Sequence, residues 1–240
     1  MALLNKIVAR VKDGTFIQRS MEKLIGRPSQ EAKGVEPAGD TYYGKCAENY
    51  LTKRLQQDYW HLEQETVQEI IAGYPREIRV LDVPFGTGRF VPYYLEKSMD
   101  IHGLDASEDM VGVARRELGE DFSKCTIEIG DAAKLPYEDA AFDVVLSFRF
   151  LSHVVSARQA KTILREFKRV CRSDLLIQLR VRRDDVPPGE PPKHDQSFGD
   201  RLTHEQIREE FDAVGFRIEK TWRLEDRPTY SRAVFRCKST

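Results

Sequence analysis

The spacing of apolar residues changes character along the chain. In residues 1–25, Leu4, Ile7, Val8 and Val11 recur at helical spacing with Lys6, Arg10 and Lys12 elsewhere, which predicts an amphipathic helix. From Arg27 to Asp40, Pro28, Gly34, Pro37 and Gly39 interrupt any periodicity and predict a linker or loop. Helical spacing returns from Ala47 to Ala72 and stops at Gly73 and Pro75. Beyond that point the apolar residues come in short runs: Arg79–Val83, Ile101–Asp105, Thr126–Ile129, Phe142–Ser147 and Asp174–Val181. Such runs predict strands buried on both faces. Helix-like segments lie between them at Phe90–Lys97, Glu108–Leu118 and Ala157–Val170, and this alternation predicts an α/β fold around a parallel sheet. A Pro-rich loop, Asp184–Gly199, is followed by a helix with Thr203 as N-cap and Gln206 at the capping-box position, then by closing strands Phe216–Arg223 and Ser231–Cys237. The pattern divides the chain into a helical N-terminal extension, 1–45, and one α/β domain, 46–240.

Composition narrows the function. A chain of 240 residues, 40% hydrophobic and 32% charged, buries a core without needing disulfides or a structural metal. A net charge of −1 lacks the bulk electrostatics used to coat nucleic acid or anionic membrane, so no nucleic-acid partner is expected. Cys46, Cys125, Cys171 and Cys237 are scattered, without a CxxC pair, which predicts reduced thiols and no metal site. No apolar run is long enough to span a membrane, and Ala2-Leu3-Leu4 is broken by Asn5 and Lys6 with no small-residue cleavage site after it. The protein is therefore expected to be soluble and cytoplasmic. The N-terminal helix is too weakly cationic for a membrane anchor and is expected to pack on protein, over an active site or against a second subunit in a homodimer.

Candidate chemistry gathers where the first strand ends, at Asp82-Val83-Pro84-Phe85-Gly86-Thr87-Gly88-Arg89. Gly86 and Gly88 remove Cβ atoms where a ligand can approach the backbone as strand hands over to helix. Asp105 ends the next strand, where a carboxylate can accept bonds from both ribose hydroxyls of an adenosine group. A dinucleotide prefers a third glycine at the helix start, but Val91 stands there; a ribose ligand without phosphate, such as S-adenosylmethionine, suits the turn better. Asp131 followed by Ala132, after the third strand, can bond the exocyclic amine of adenine and leave room for its ring. Phe142-Asp143-Val144-Val145 opens a fourth strand whose end points into the same crevice.

In this order the features resemble the class I S-adenosylmethionine-dependent methyltransferases, above all the small-molecule branch that includes quinone-biosynthesis and sugar methyltransferases. The resemblance is good over Arg79–Val181 and looser to Cys237. It implies a Rossmann-like, seven-stranded, mostly parallel sheet in the order 3-2-1-4-5-7-6 with the last strand antiparallel. It implies that Asp82, Pro84, Phe85, Gly86, Thr87, Gly88 and Arg89 hold the methionine part of S-adenosylmethionine. Asp105 takes the ribose, Asp131 and Ala132 the adenine, and Ser147, Phe148 and Arg149 the floor of the site, with Ala106 and Met110 completing the cofactor set. Pro84 stands where the family usually carries its first glycine, so that position offers no N–H.

Tyr50 and Arg54 share a helix face at i, i+4, and in related enzymes such a pair covers the methionine carboxylate. Acceptor contacts are expected from Tyr43, Trp60, Arg180, Arg182 and His194; Arg180, Arg182 and Arg183, near the crevice, would favour an anionic acceptor such as a phosphorylated or carboxylated sugar. His153 is the expected general base. Lys161, Arg165, Lys168, Arg169 and Arg172 are expected on a solvated helix face. The activity this points to is methylation of a small molecule, with a hydroxyl of a sugar or other hydroxylated metabolite favoured. Nucleic-acid or protein methylation, or a non-catalytic S-adenosylmethionine-binding subunit, are the alternatives. The Asn/Asp-Pro-Pro-aromatic motif of DNA amino-methylating enzymes is replaced here by Ser147-Phe148-Arg149-Phe150.

Overall fold

Strands β1 (Arg79–Asp82), β2 (Asp100–Asp105), β3 (Cys125–Ile129), β4 (Phe142–Ser147), β5 (Cys171–Arg182), β6 (Phe216–Asp226) and β7 (Tyr230–Ser239) pair into one sheet. Their order is β3-β2-β1-β4-β5-β7-β6, with β7 antiparallel to both neighbours and the rest parallel, as the resemblance implies. The computed structural model describes residues 43, 44, 47, 50, 54, 55, 57–153, 157–187 and 202–240. The expected N-terminal helix, the 27–40 linker, Cys46 and His194 lie outside the described residues, as does the side chain of His153.

The apolar runs in β1, β2, β4 and β5 are largely buried because helices cover the sheet, whereas β3, expected to be buried like them, lies at the sheet edge and stays partly exposed, with Ile129 53% exposed. Leu81, Val144, Val145, Leu146, Leu175, Leu176 and Ile177 are all buried. Helices α1 (Asp58–Ala72), α2 (Val91–Glu96), α3 (Glu108–Leu118), α4 (Ala157–Val170) and α5 (His204–Ala213) complete the fold. Local chemistry sets their starts. Ser107 Oγ accepts the Met110 N–H at the head of α3, and Thr203 and Gln206 close the expected capping box on α5. Among the described residues no helix is long and apolar enough to cross a membrane.

Three expectations are corrected. The helix read from Ala47 to Ala72 is interrupted: Ala47, Tyr50 and Arg54 are helical, Leu55 turns, and Gln57 is extended (φ −101°, ψ 118°) before α1 starts. The break is held by side-chain partners that periodicity does not register, since Gln57 Oε1 accepts from Arg54 (3.4 Å) and Arg149 (3.3 Å). β5 and β6 are longer than their apolar runs: β7 supplies partners to Arg182, Glu225 and Asp226 at their far ends, and β4 pairs with Cys171 at the start of β5. The basic residues of α4 are not simply solvated. Arg169 pairs with Glu166 (2.7 Å) and donates to the carbonyls of Leu135 and Tyr137, so it ties the loop after β3 to the helix. Arg172, just past α4, pairs with Asp143 (2.8 Å), and Lys161 with Glu210 (3.0 Å).

The β5–β7 seam carries a buried acid. Asp174 is 1% exposed and accepts from Arg236 Nε (2.8 Å) and Lys238 Nζ (2.9 Å) on β7, and from Ser173 Oγ (2.8 Å). Burial pushes its carboxyl up, but these bonds outweigh burial and hold it below the usual carboxylate range. A folded-state pKa below the unfolded value of about 3.9 stabilises fully above that pH and is lost as pH falls through the folded value. Asp174→Ala is therefore expected to cost about 2–3 kcal/mol in urea denaturation at pH 7, with the gap from wild type narrowing once the pH drops below about 4.

Candidate functional site

Strand order reverses between β1 and β4, which opens a crevice at their carboxyl ends, where open α/β sheets bind ligands. Asp82 pairs in register with Leu146 on β4 and Gly103 on β2. The chain then enters the Gly-rich turn through a cis Val83–Pro84 peptide. Gly86 (φ 58°) and Gly88 (φ 66°) both adopt the left-handed conformation that suits glycine. A Cβ on Gly88 would lie 2.6 Å from Leu118 and 3.0 Å from the Phe85 ring, so packing also demands glycine there. The same ring fills the space over Gly103, where a Cβ would lie 2.3 Å from Phe85 Cδ2. Phe85 is thus a packing anchor for the turn, and its N–H donates to the Leu104 carbonyl (2.9 Å).

Asp105 does more than end a strand. Its Oδ2 accepts the Gly86 N–H (2.7 Å) and its Oδ1 the Ser107 N–H (2.9 Å), so one carboxylate ties the turn after β1 to the start of α3. Burial raises its pKa, opposed by the bonds from Ser107, Gly86 and Ala106. With three backbone donors on its two oxygens, one lone-pair site remains for a ligand hydroxyl. Asp82 is buried, and its Oδ2 accepts from the Tyr94 hydroxyl (3.1 Å). Burial pushes the Asp82 carboxyl up to about 8, against the pull of Tyr94 and Arg89.

The other expected cofactor residues border this turn. Met110 is buried with its Cε 3.8 Å from the position of a Gly86 Cβ. Exposed Asp131 accepts the Ala133 N–H through Oδ1 (2.8 Å), Ala132 is buried, and the Gly130 N–H joins this loop to the Asp105 carbonyl (3.0 Å). The hydroxyl of Tyr43, a residue expected at the acceptor, donates to the Ala106 carbonyl at 3.4 Å. Ser147 Oγ is buried at the end of β4 without a hydrogen-bond partner among the described residues. Acceptors at Asp105 and Asp131, a buried acid at Asp82 and the half-buried glycine turn between them fit an adenosine group carrying an amino acid.

A second layer lies where α1 meets the ends of β4 and β5. Glu63, on α1, is fully buried, and its Oε2 accepts from Arg89 Nη1 and Arg149 Nε, both at 2.8 Å. Buried Trp60 carries the Arg89 guanidinium 4.1 Å and that of Arg149 4.7 Å from its ring centre. Three expected ligand contacts, Arg89, Arg149 and Trp60, are therefore bound to each other. Arg149 has left-handed backbone (φ 56°), and its N–H donates to Gln178 Oε1 (3.1 Å). Burial lowers the Arg149 pKa, opposed by Glu63. Arg54 lies over Tyr50 at 4.9 Å, while Arg182 is turned to the Val186 carbonyl.

Glu63, Gln178 and Arg232 were absent from the sequence-based site. Glu63 carried a readable signal, an acid on the apolar stripe of Trp60, Val67, Ile70 and Ile71, and Gln178 interrupts the apolar run of β5. Arg232 carried none. With Arg89 and Arg149 only 11% and 8% exposed at their side chains, Glu63→Ala leaves two buried cations without their shared acid. It is expected to cost about 3–5 kcal/mol in chemical denaturation at pH 7, and Glu63→Gln, which retains an acceptor, less.

Comparison with known proteins agrees with this geometry. Residues 80–174 match the protein family described as "Methyltransferase domain". A demethylmenaquinone methyltransferase from Deinococcus radiodurans is 42% identical over 79 residues, 32% of this chain and 32% of that protein. A 27-O-demethylrifamycin SV methyltransferase from Amycolatopsis mediterranei is 27% identical over 167 residues, covering 62% of this chain and 60% of the relative. The chain thus spans less than two thirds of these curated relatives. The magnesium protoporphyrin IX methyltransferase of Synechocystis, solved with bound S-adenosylhomocysteine, superposes with a TM-score of 0.62 at 18% identity, covering 83% of this chain and 96% of that one. At that identity the likeness is one of fold.

Proposed function

We propose that this chain, which carries a class I S-adenosylmethionine-dependent methyltransferase domain, methylates a small-molecule acceptor, with a hydroxyl of a sugar or other hydroxylated metabolite as the preferred target. The observation that carries this reading is the turn after β1, with left-handed Gly86 and Gly88 and the Gly86 N–H bonded to the carboxylate of Asp105, at the switch point of the sheet. The named relatives act on small molecules, and the net charge of −1 offers no field for a nucleic-acid substrate.

Bound S-adenosylmethionine supplies a methyl group already activated by its sulfonium, so the protein's task is alignment more than activation. Asp105 receives a ribose hydroxyl through its remaining lone pair, and Asp131 the adenine amine beside Ala132. Asp82 receives the ammonium of the methionine part, with Pro84, Gly86, Thr87 and Gly88 forming the wall. Ser147, Phe148 and Arg149 close the floor. His153 follows buried Ser152 at the end of the turn after β4 and is our candidate for removing a proton from an acceptor hydroxyl.

Calorimetry with S-adenosylhomocysteine tests the reading, and EDTA should leave the affinity unchanged. Asp105→Ala is expected to weaken binding by about 10–150-fold, equivalent to 1.5–3 kcal/mol. The same change should lower the melting temperature, because the carboxylate also ties the turn. A well-folded wild-type protein that gives no binding heat would end the methyltransferase reading.

A proton balance tests Asp82 separately. With its folded pKa near 8, Asp82 is largely protonated at pH 7, and receiving an ammonium requires the carboxylate. Binding at pH 7 should therefore release about one proton, read from calorimetry in buffers of different ionisation enthalpy. Affinity should rise with pH up to about 8, and Asp82→Asn should abolish the proton release.

A further inference from the structure

Beside the cofactor turn, on the β5 side of β4, a pocket is lined by Arg54, Tyr59, Arg149, Ser152, Gln178, Arg180 and Arg232. We propose that its four arginines bind an oxyanion, a carboxylate or phosphate, carried by the methyl acceptor. The proposal rests on the methyl-transfer reading and deepens it by assigning the acceptor a negative charge and a docking point.

The four guanidinium groups come from separate parts of the chain: the segment before α1, the turn after β4, β5 and β7. Among the described residues, no carboxylate belongs to the lining. The acids behind it are shared, Glu63 between Arg89 and Arg149, and Glu225 between Arg227 and Arg232. Neither Arg149 nor Arg232 therefore has a carboxylate to itself. Arg180 and Arg232 are also direct register partners on the antiparallel β5–β7 pair. Like charges opposite each other across a sheet are unfavourable, and an anion between them relieves the repulsion.

Two details favour an oxyanion over a neutral ligand. Arg149 Nη2 is buried without a hydrogen-bond partner among the described residues, and its side chain as a whole is only 8% exposed. Guanidinium groups also match carboxylate and phosphate oxygens with paired, fork-like bonds. The arginines are held ready by aromatic rings: Arg149 and Arg232 lie 4.5 and 4.0 Å from the Tyr59 ring centre, and Arg180 lies 5.4 Å from that of Tyr230. Ser152 Oγ accepts the Arg180 N–H (3.1 Å) and fixes the strand there. Since β4 separates β1 from β5 in the sheet, an anion in this pocket would hold an acceptor next to the cofactor turn.

The competing occupant is the methionine carboxylate of the cofactor, the role the sequence suggested for Arg54. The test uses the full chain with and without S-adenosylhomocysteine, titrated with inorganic phosphate or acetate at an ionic strength held constant with chloride. At least one oxyanion should bind saturably in the presence of S-adenosylhomocysteine. Arg180→Gln should weaken it about tenfold or more, with Arg180→Lys in between. S-adenosylhomocysteine affinity should change less than about twofold in both variants, whose folding is checked by circular dichroism and melting. Preference for phosphate would mark a phosphorylated acceptor, and preference for acetate a carboxylated one. Loss of S-adenosylhomocysteine affinity in folded Arg180→Gln would assign the pocket to the cofactor and overturn the proposal. So would oxyanions that bind no better than chloride, or equally well to wild type and Arg180→Gln. A wild-type chain that takes an oxyanion through Arg180 but no S-adenosylhomocysteine would instead refute the methyl-transfer reading on which the proposal stands.

Discussion

One buried carboxylate organises the crevice. Glu63 sits on α1, yet its two guanidinium partners belong to different parts of the site: Arg89 to the turn after β1 and Arg149 to the turn after β4. A buried acid is tolerable only when it is paired, and the same pairing fixes where both turns can lie. Trp60, three residues earlier on the same helix face, supplies the aromatic surface against which both cations rest. The helix thereby joins the side of the crevice that fits an adenosine group to the side lined by arginines. Because one oxygen serves both arginines, displacement of either would alter the electrostatic balance at the other.

The sheet was largely legible in the sequence because its physics is local. Phe142–Ser147, Glu108–Leu118 and Ala157–Val170 appear in the structure with the bounds their patterns predict, since burial on both faces and helical periodicity leave their mark on consecutive residues. The Gly-rich turn was legible for a similar reason: two glycines between a strand and a helix imply a special backbone. The break at Leu55 and Gln57 was hidden, because apolar spacing continues through it while one of its side-chain partners, Arg149, is distant in sequence.

The arginine pocket was only half visible. Arg180 stood out at the carboxyl end of a strand, but Arg54, Arg149 and Arg232 become its neighbours only once β4, β5 and β7 are in register. Arg89 and Arg149 were read as ligand contacts from their place near the motif, and the structure shows what else engages them: an acid and a tryptophan from a helix that precedes the motif. Proximity in sequence identified the region, and the pairing of charges identified the partners.

The bond between Asp105 and Gly86 bears on how a ligand would be received. A glycine-rich turn is costly to order, since glycine has more backbone freedom to lose than any other residue. Here the Asp105 carboxylate, the packed Phe85 ring and the space reserved for it over Gly103 meet that cost during folding. A molecule arriving at the turn finds a preorganised cradle, so little of its contact energy is diverted into immobilising the protein. Selectivity at this end of the crevice then depends on complementarity to a fixed shape rather than on the power to induce one.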